Sequence, residues 1–219
     1  TSAVAQKRIL FYSHDALGLG HIRRTIAVAE RIATVADTTS LILTGSSVVQ
    51  SFQLPPNVDF IKLPSLRKSA DSVYEARNLR IDSKEIVGLR TRMISEVFDT
   101  YSPDILVVDK HPAGVTGELL PTLLANERRE NRARVVLSLR DILDTPERVI
   151  RSWNRKGIYD VLATHYDRIL VWGMKEVCDP ISAYQFPEEV AKKVDFCGYI
   201  RRGENGNNGN NGSNGSSYG

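Results

Sequence analysis

Cysteine is almost missing from this chain: Cys178 and Cys197 are the only two among 219 residues. Two thiols without metal-ligand spacing or partner clusters argue against a disulfide framework and a zinc site. They predict free thiols in a reducing compartment. Long hydrophobic runs are lacking as well. None approaches the roughly 20 apolar residues that a membrane-spanning helix needs. The opening TSAVAQKRIL holds no apolar signal core and no initiator Met. A cytosolic protein with a trimmed start is expected, and a peripheral contact at a membrane stays open. Charge of one sign is also scarce, since 29 basic residues against 26 acidic ones leave a net +3. That excess is too small to argue for nucleic acid. It would suit an anionic ligand or a membrane surface, and an ordinary mixed surface explains it better.

What is present is enough to build a core, with 42% hydrophobic residues. Short runs rich in Val, Ile and Leu fall at 7–13, 40–44, 58–63, 104–109, 134–139 and 167–172. They are apolar almost throughout, as parallel strands covered on both faces must be. Helical patterns lie between them. In 20–36, Ile22, Ile26, Ala29 and Ala33 make one apolar stripe; in 83–100, Ile86, Leu89, Met93 and Val97 make another. Asp82 and Glu85 are spaced as a capping pair. A third helix is predicted over 114–128, bent or split by Pro121. Alternating strands and helices predict an α/β fold, a Rossmann-like doubly wound parallel sheet.

Two stretches break the rhythm. Residues 64–81 read as a long polar loop holding Arg67, Lys68, Arg77 and Arg80. Residues 203–219 hold six Gly, six Asn and three Ser, a composition that cannot bury a core. The folded domain is therefore expected over 1–202, with 203–219 as a disordered tail or linker. Arg128, Arg129, Arg132 and Arg134, mixed with Glu127 and Glu130, read as a solvated helix end. Trp153 and Trp172 could stack on a sugar, with burial beside the sheet as the default.

Ligands of an open parallel sheet gather at the carboxyl ends of its strands. His14, His21 and His111 all map to that edge, with Asp15 and Asp109 beside them, while His165 maps to the opposite one. Gly18 and Gly20 would let backbone approach a ligand at the mouth of a helix. A dinucleotide fingerprint would need a third glycine at position 23, where Arg23 stands. No Lys-Ser/Thr pair follows the glycines, so a phosphate-binding P-loop is excluded too. His21 just after the glycines suits a proton acceptor, and Asp109 suits the carboxylate that orients it. Simple helix capping by both residues is an equal alternative on these grounds. Arg140 and Asp141 follow a strand on the same rim, as ligand contacts or as a structural pair.

The run RILFYSHDALGLGHIRRTIAVAERI resembles the opening of GT-B glycosyltransferases. It is most similar to family 28, the peptidoglycan-precursor group and related predicted transferases. PDILVVDKHP, LSLRDILDTP, YDRILVWG and VDFCGYIRR resemble further segments of one such group. The resemblance implies the amino-terminal, acceptor-binding half of a GT-B fold. It implies His21 as general base and Asp109 as its support. Gly18, Gly20, His14, Asp15, His111 and Arg140 would then face the acceptor. It implies a nucleotide-sugar donor as substrate, an acceptor that can bear phosphate, and no separate cofactor or metal. It also implies a carboxyl-terminal donor domain, in cis or in trans, where this chain shows only its Asn/Gly/Ser tail. Isolated, the chain is then expected to be inactive. A sugar-nucleotide epimerase half and a non-catalytic binding or partner domain remain alternatives.

Overall fold

The computed structural model describes residues 6–13, 20–69 and 74–199. In chain order, β1 (Lys7–Ser13) precedes α1 (Gly20–Val35), β2 (Thr38–Thr44) and β3 (Val58–Lys62). Then come β4 (Leu66–Lys68), β5 (Tyr74–Ala76), α2 (Ser83–Tyr101), β6 (Ile105–Asp109) and α3 (Leu120–Glu127). They are followed by β7 (Arg134–Arg140), α4 (Pro146–Arg155), α5 (Ile158–His165) and β8 (Arg168–Trp172). Two short helices, α6 (Pro180–Ala183) and α7 (Glu188–Ala191), lead to β9 (Val194–Phe196).

Seven of these strands form one sheet in the order β3-β2-β1-β6-β7-β8-β9. Every pairing within it is parallel. The chain builds outward from β1 in one direction, then returns to the other side of β1 with β6. That reversal makes the β1/β6 border the switch point, where the carboxyl ends of a doubly wound sheet open a crevice.

The strand period of two divides the side chains between two cores. Ile9, Phe11 and Ile42, with Ile105 and Val107, pack beneath Ile22, Ile26 and Ala29 of α1. Leu10, Tyr12, Leu106, Val108, Leu137 and Ile169 face the other way, against Ile94, Phe98, Leu123 and Leu162 from α2, α3 and α5. Each fully buried Leu or Ile is worth about 1.5–3 kcal/mol relative to exposure.

The capping pair at α2 is present in full. The Asp82 carboxylate accepts from the backbone N–H of Lys84 at 2.7 Å and of Glu85 at 2.8 Å. Glu85 accepts in return from the Asp82 N–H at 3.1 Å. The buried stripe of α2, however, is Ile86, Arg90, Ile94 and Phe98, while Met93 and Val97 are only partly covered. An arginine in the centre of the core face hid that stripe from a hydrophobic reading.

Three other expectations need correction. The helix predicted over 114–128 is confined to Leu120–Glu127. Gly114 and Gly117, at φ of 82° and 92°, lie outside helical backbone. Pro121 sits in the first turn, where its missing N–H costs nothing, rather than bending the helix. The stretch 64–81 contains an antiparallel hairpin, pairing Leu66 with Ala76 and Arg67 with Glu75. Two of the four arginines expected at a solvated helix end are engaged, while Arg128 and Arg134 are exposed as expected. Arg129 meets Asp99 at 2.7 Å, and Arg132 meets Glu127 at 3.3 Å and Asp167 at 3.0 Å. The tail expected at 203–219 lies outside the described residues.

Candidate functional site

Period-two alternation sets the site. Ile105 and Val107 point to the α1 side of β6, so Asp109, two residues on, points there as well. At its level stands the first turn of α1, where His21 and Arg24 are three residues apart and share a helix face. His21 Nδ1 lies 2.5 Å from Asp109 Oδ2. Arg24 Nη2 reaches Asp109 Oδ1 at 2.5 Å and stands 3.1 Å from His21 Nδ1. The Asp109 side chain is only 4% exposed. Burial pushes its carboxyl upward, but the His21 hydrogen bond and the Arg24 charge outweigh that and hold it below the usual range. Asp109 is therefore an ionised carboxylate at neutral pH, able to fix the His21 tautomer with Nδ1–H donating and to stabilise an imidazolium.

The backbone just after Asp109 is tightly folded. The His111 N–H donates to the Asp109 carbonyl at 2.7 Å, and Lys110 between them has φ of 64°. That is the rarer, strained form of a three-residue turn. It sets Lys110 on a small hollow of about 30 Å³ with His21, Arg24, Arg140, Ile142 and Leu143. Burial lowers the Lys110 ammonium, and Arg140 and Arg24 add to that while Asp109 and Asp144 oppose it. His111 is half-buried, and its imidazole is pushed down to about 3, chiefly by burial and then by Lys110, Lys156, His21 and Lys68. It is neutral at physiological pH.

Beneath the rim, a buried ion pair braces the loop before α3. Glu118 Oε1 accepts from Tyr12 Oη at 2.7 Å and from Arg90 Nη2 at 3.0 Å. Glu118 Oε2 accepts from the Thr116 N–H at 2.7 Å and from its hydroxyl at 2.8 Å. Arg90 Nη1 donates to the Pro64 carbonyl at 2.6 Å. Burial alone would raise the Glu118 carboxyl, but Arg90, Tyr12 and Thr116 bring it below its ordinary value.

Of the residues singled out from sequence, His21, Asp109 and Arg140 come together. His111 is on the same rim beside Lys110. Gly20 opens α1, and among the described residues a Cβ there would meet nothing within 4 Å. His14, Asp15 and Gly18 lie outside the described residues. Asp141 makes no pair with Arg140; its carboxylate accepts from Tyr199 Oη at 2.9 Å. His165 ends α5, 3.5 Å from Glu127. Trp153 is buried against Tyr159 and Phe186, and Trp172 donates to Ser138 Oγ at 2.7 Å. Sequence reasoning missed Arg24 and Lys110. The signal for Arg24 was its spacing of three from His21.

A larger hollow of about 960 Å³ opens at the opposite edge, lined by Lys7, Asp104, Arg129, Arg132 and Arg134 among others. Its cations are largely neutralised: Lys7 by Asp104, Arg129 by Asp99, Arg132 by Asp167. The β1/β6 rim is therefore the stronger site despite its small hollow. Among the described residues, no group of three or more His, Cys, Asp or Glu side chains could hold a metal ion. Among them too, no helix is long and apolar enough to cross a membrane.

No family model and no curated protein matches the sequence. Solved structures do. A glycosyltransferase from Rickettsia africae superimposes with a TM-score of 0.54 at 14% identity, covering 88% of this chain and 43% of that one. Apo UGT2 of Phytolacca americana gives 0.54 at 14% identity, covering 90% and 53%. The same enzyme complexed with UDP-2fluoro-glucose and pterostilbene gives 0.54 at 14% identity, covering 90% and 55%. This chain thus spans about half the length of these proteins. At such identity the likeness concerns fold: the chain has a Rossmann-like, doubly wound α/β architecture, shared with about half of each of these proteins.

Proposed function

We propose that this chain is the acceptor-holding half of an inverting glycosyltransferase, with His21 as general base. The observation that carries the reading is the His21–Asp109 pair at the switch point of the sheet, 2.5 Å apart and nearly buried. An acceptor hydroxyl gives its proton to His21 Nε2 as its oxygen attacks the anomeric carbon of a nucleotide sugar. The carbon–oxygen bond to the diphosphate breaks and the nucleoside diphosphate leaves. The proton stays on the imidazole, and Asp109, held ionised by Arg24, stabilises the cation.

The donor is held mainly by the other half of the enzyme, in cis or in trans. The fold shared with glycosyltransferases supports this, as does the coverage of only half their length. The closer likeness to family 28 and the peptidoglycan-precursor group rests on the RILFYSHDALGLGHIRRT run. The test is sugar transfer by the enzyme containing both halves. His21→Ala is expected to lower turnover on the order of a hundredfold or more. Full turnover in that variant refutes the base, and epimerised nucleotide sugar formed without an acceptor refutes transfer.

A further inference from the structure

Among the described residues, the hollow beside His21 holds positive charge that no carboxylate fully balances. Its lining includes three cationic side chains, Arg24, Lys110 and Arg140. Asp109, the carboxylate beside it, is already engaged by His21 and Arg24. Among the described residues, neither Lys110 nor Arg140 makes a side-chain hydrogen bond or ion pair. Asp144 is close enough to Lys110 to be felt, yet its own ion pair is with Arg148, at 3.8 Å. The Arg24 Nε–H is buried and finds no acceptor among the described residues. Like charges gathered without a counter-ion repel one another, and part of that cost is relieved when an anion arrives.

The backbone points the same way. Lys110 occupies a left-handed turn that a glycine would take without strain. The turn is clamped on both sides, by the His111 N–H on the Asp109 carbonyl and by the Lys110 N–H on the Ser138 carbonyl. A strained turn that keeps a half-buried lysine at the rim beside a candidate base is placement for a ligand rather than for packing. A hollow of about 30 Å³ admits about two water-sized groups, as many as two oxygens of a phosphoryl group entering from outside.

We propose that Lys110 and Arg140, with Arg24, bind a phosphoryl or similarly charged anionic group carried by the acceptor. That the anion belongs to the acceptor rests on the transferase reading, because the base faces the hydroxyl that it deprotonates. The anion site itself stands on Lys110 and Arg140, which have no carboxylate partner among the described residues, and on the turn that presents Lys110.

The 219-residue chain is titrated calorimetrically at low salt with inorganic pyrophosphate, glucose 6-phosphate and uridine diphosphate. Saturable pyrophosphate binding is expected, weakened about tenfold or more by Lys110→Met and by Arg140→Met. Lys84→Met, on the first turn of α2, should leave it unchanged. Arg140 is exposed, so its replacement keeps the test valid should Lys110→Met fold poorly. Absence of saturable binding, or binding indifferent to both variants, overturns the site. Uridine diphosphate binding tenfold tighter than pyrophosphate assigns the anion to the donor and overturns the acceptor assignment. In the enzyme with both halves, a preference for phosphorylated over neutral acceptors that Lys110→Met abolishes supports it. Equal turnover of both acceptors overturns the anionic acceptor and leaves the transferase standing. Pyrophosphate held through Lys110 and Arg140 in an enzyme that transfers no sugar supports the site and removes only the transferase.

Discussion

Glu118→Gln offers the sharpest test of how the rim is supported. The side chains of Arg90 and Glu118 are both 0% exposed, with Nη2 and Oε1 3.0 Å apart. Glu118 accepts on both oxygens, from Tyr12 and Arg90 on one and from Thr116 on the other. A glutamine keeps the shape but turns one of those oxygens into a donor. Either the guanidinium or the Thr116 N–H then faces another N–H, and the Arg90 charge loses its counter-ion. Breaking a buried pair from one side costs about 3–5 kcal/mol, a large share of the roughly 5–15 kcal/mol that holds a domain folded. For a chain of this length that lowers the melting temperature by roughly 6–20 °C. Guanidinium unfolding at pH 7, read by tryptophan fluorescence, measures it directly. Replacing both partners, Arg90→Met with Glu118→Leu, removes the unpaired charge but leaves the Thr116 N–H and the Tyr12 hydroxyl without their acceptor, so it should recover only part of the loss. A loss under about 1 kcal/mol for Glu118→Gln would refute the argument, because an unpaired buried guanidinium cannot be that cheap.

Two further outcomes follow from the same coordinates. A Cβ on Gly173 would lie 2.5 Å from the Asp141 Cβ, and Asp141 is held by the Tyr199 hydroxyl. Gly173→Ala should therefore cost about 1–3 kcal/mol in denaturant unfolding, and wild-type stability would contradict this overlap. His111, with its folded pKa depressed to about 3, should show no NMR titration between pH 5 and 8. Because the unfolded imidazole binds a proton first, stability should fall as pH drops from about 6.5 toward about 3. The depressed carboxyls of Asp109 and Glu118 add to the loss below about pH 4, where the unfolded carboxylates take up protons. A His111 resonance that titrates near neutrality would show the ring to be hydrated.

Parallel strands buried on both faces are nearly continuous apolar runs, and six of the seven sheet strands were legible for that reason. β9 escaped because Val194–Phe196 is three half-covered or exposed residues on the sheet edge, without a run to notice. The hairpin of β4 and β5 escaped for a related reason: only Leu66 and Ala76 face inward there, among charged neighbours. α2 was found by its cap and length, while its inward face was misjudged through Arg90. A charged residue in the core is invisible to hydrophobic periodicity, since what admits it is a carboxylate 28 residues later.

The candidate site divides along the same line, into what ends an element and what a turn presents. His21 and Asp109 end or begin regular elements on one rim, so the topology alone could bring them near each other. Lys110 owes its position to a φ of 64°, which the letters D-K-H do not announce. That angle yields a last prediction. A non-glycine residue in left-handed backbone pays about 1–2 kcal/mol, whereas glycine adds roughly 0.4–1 kcal/mol of unfolded-state entropy to be lost on folding. Lys110→Gly should thus leave the fold as stable as before, or up to about 1.6 kcal/mol more so, and removing charge from a cation cluster favours the same sign. Pyrophosphate binding should nevertheless fall by about tenfold or more, since the ammonium is gone. Unfolding and titration on the same variant measure both halves of that trade. A marked loss of stability would mean that the lysine packs rather than waits for a ligand, and the strained turn would then be a feature of the fold and not of the site.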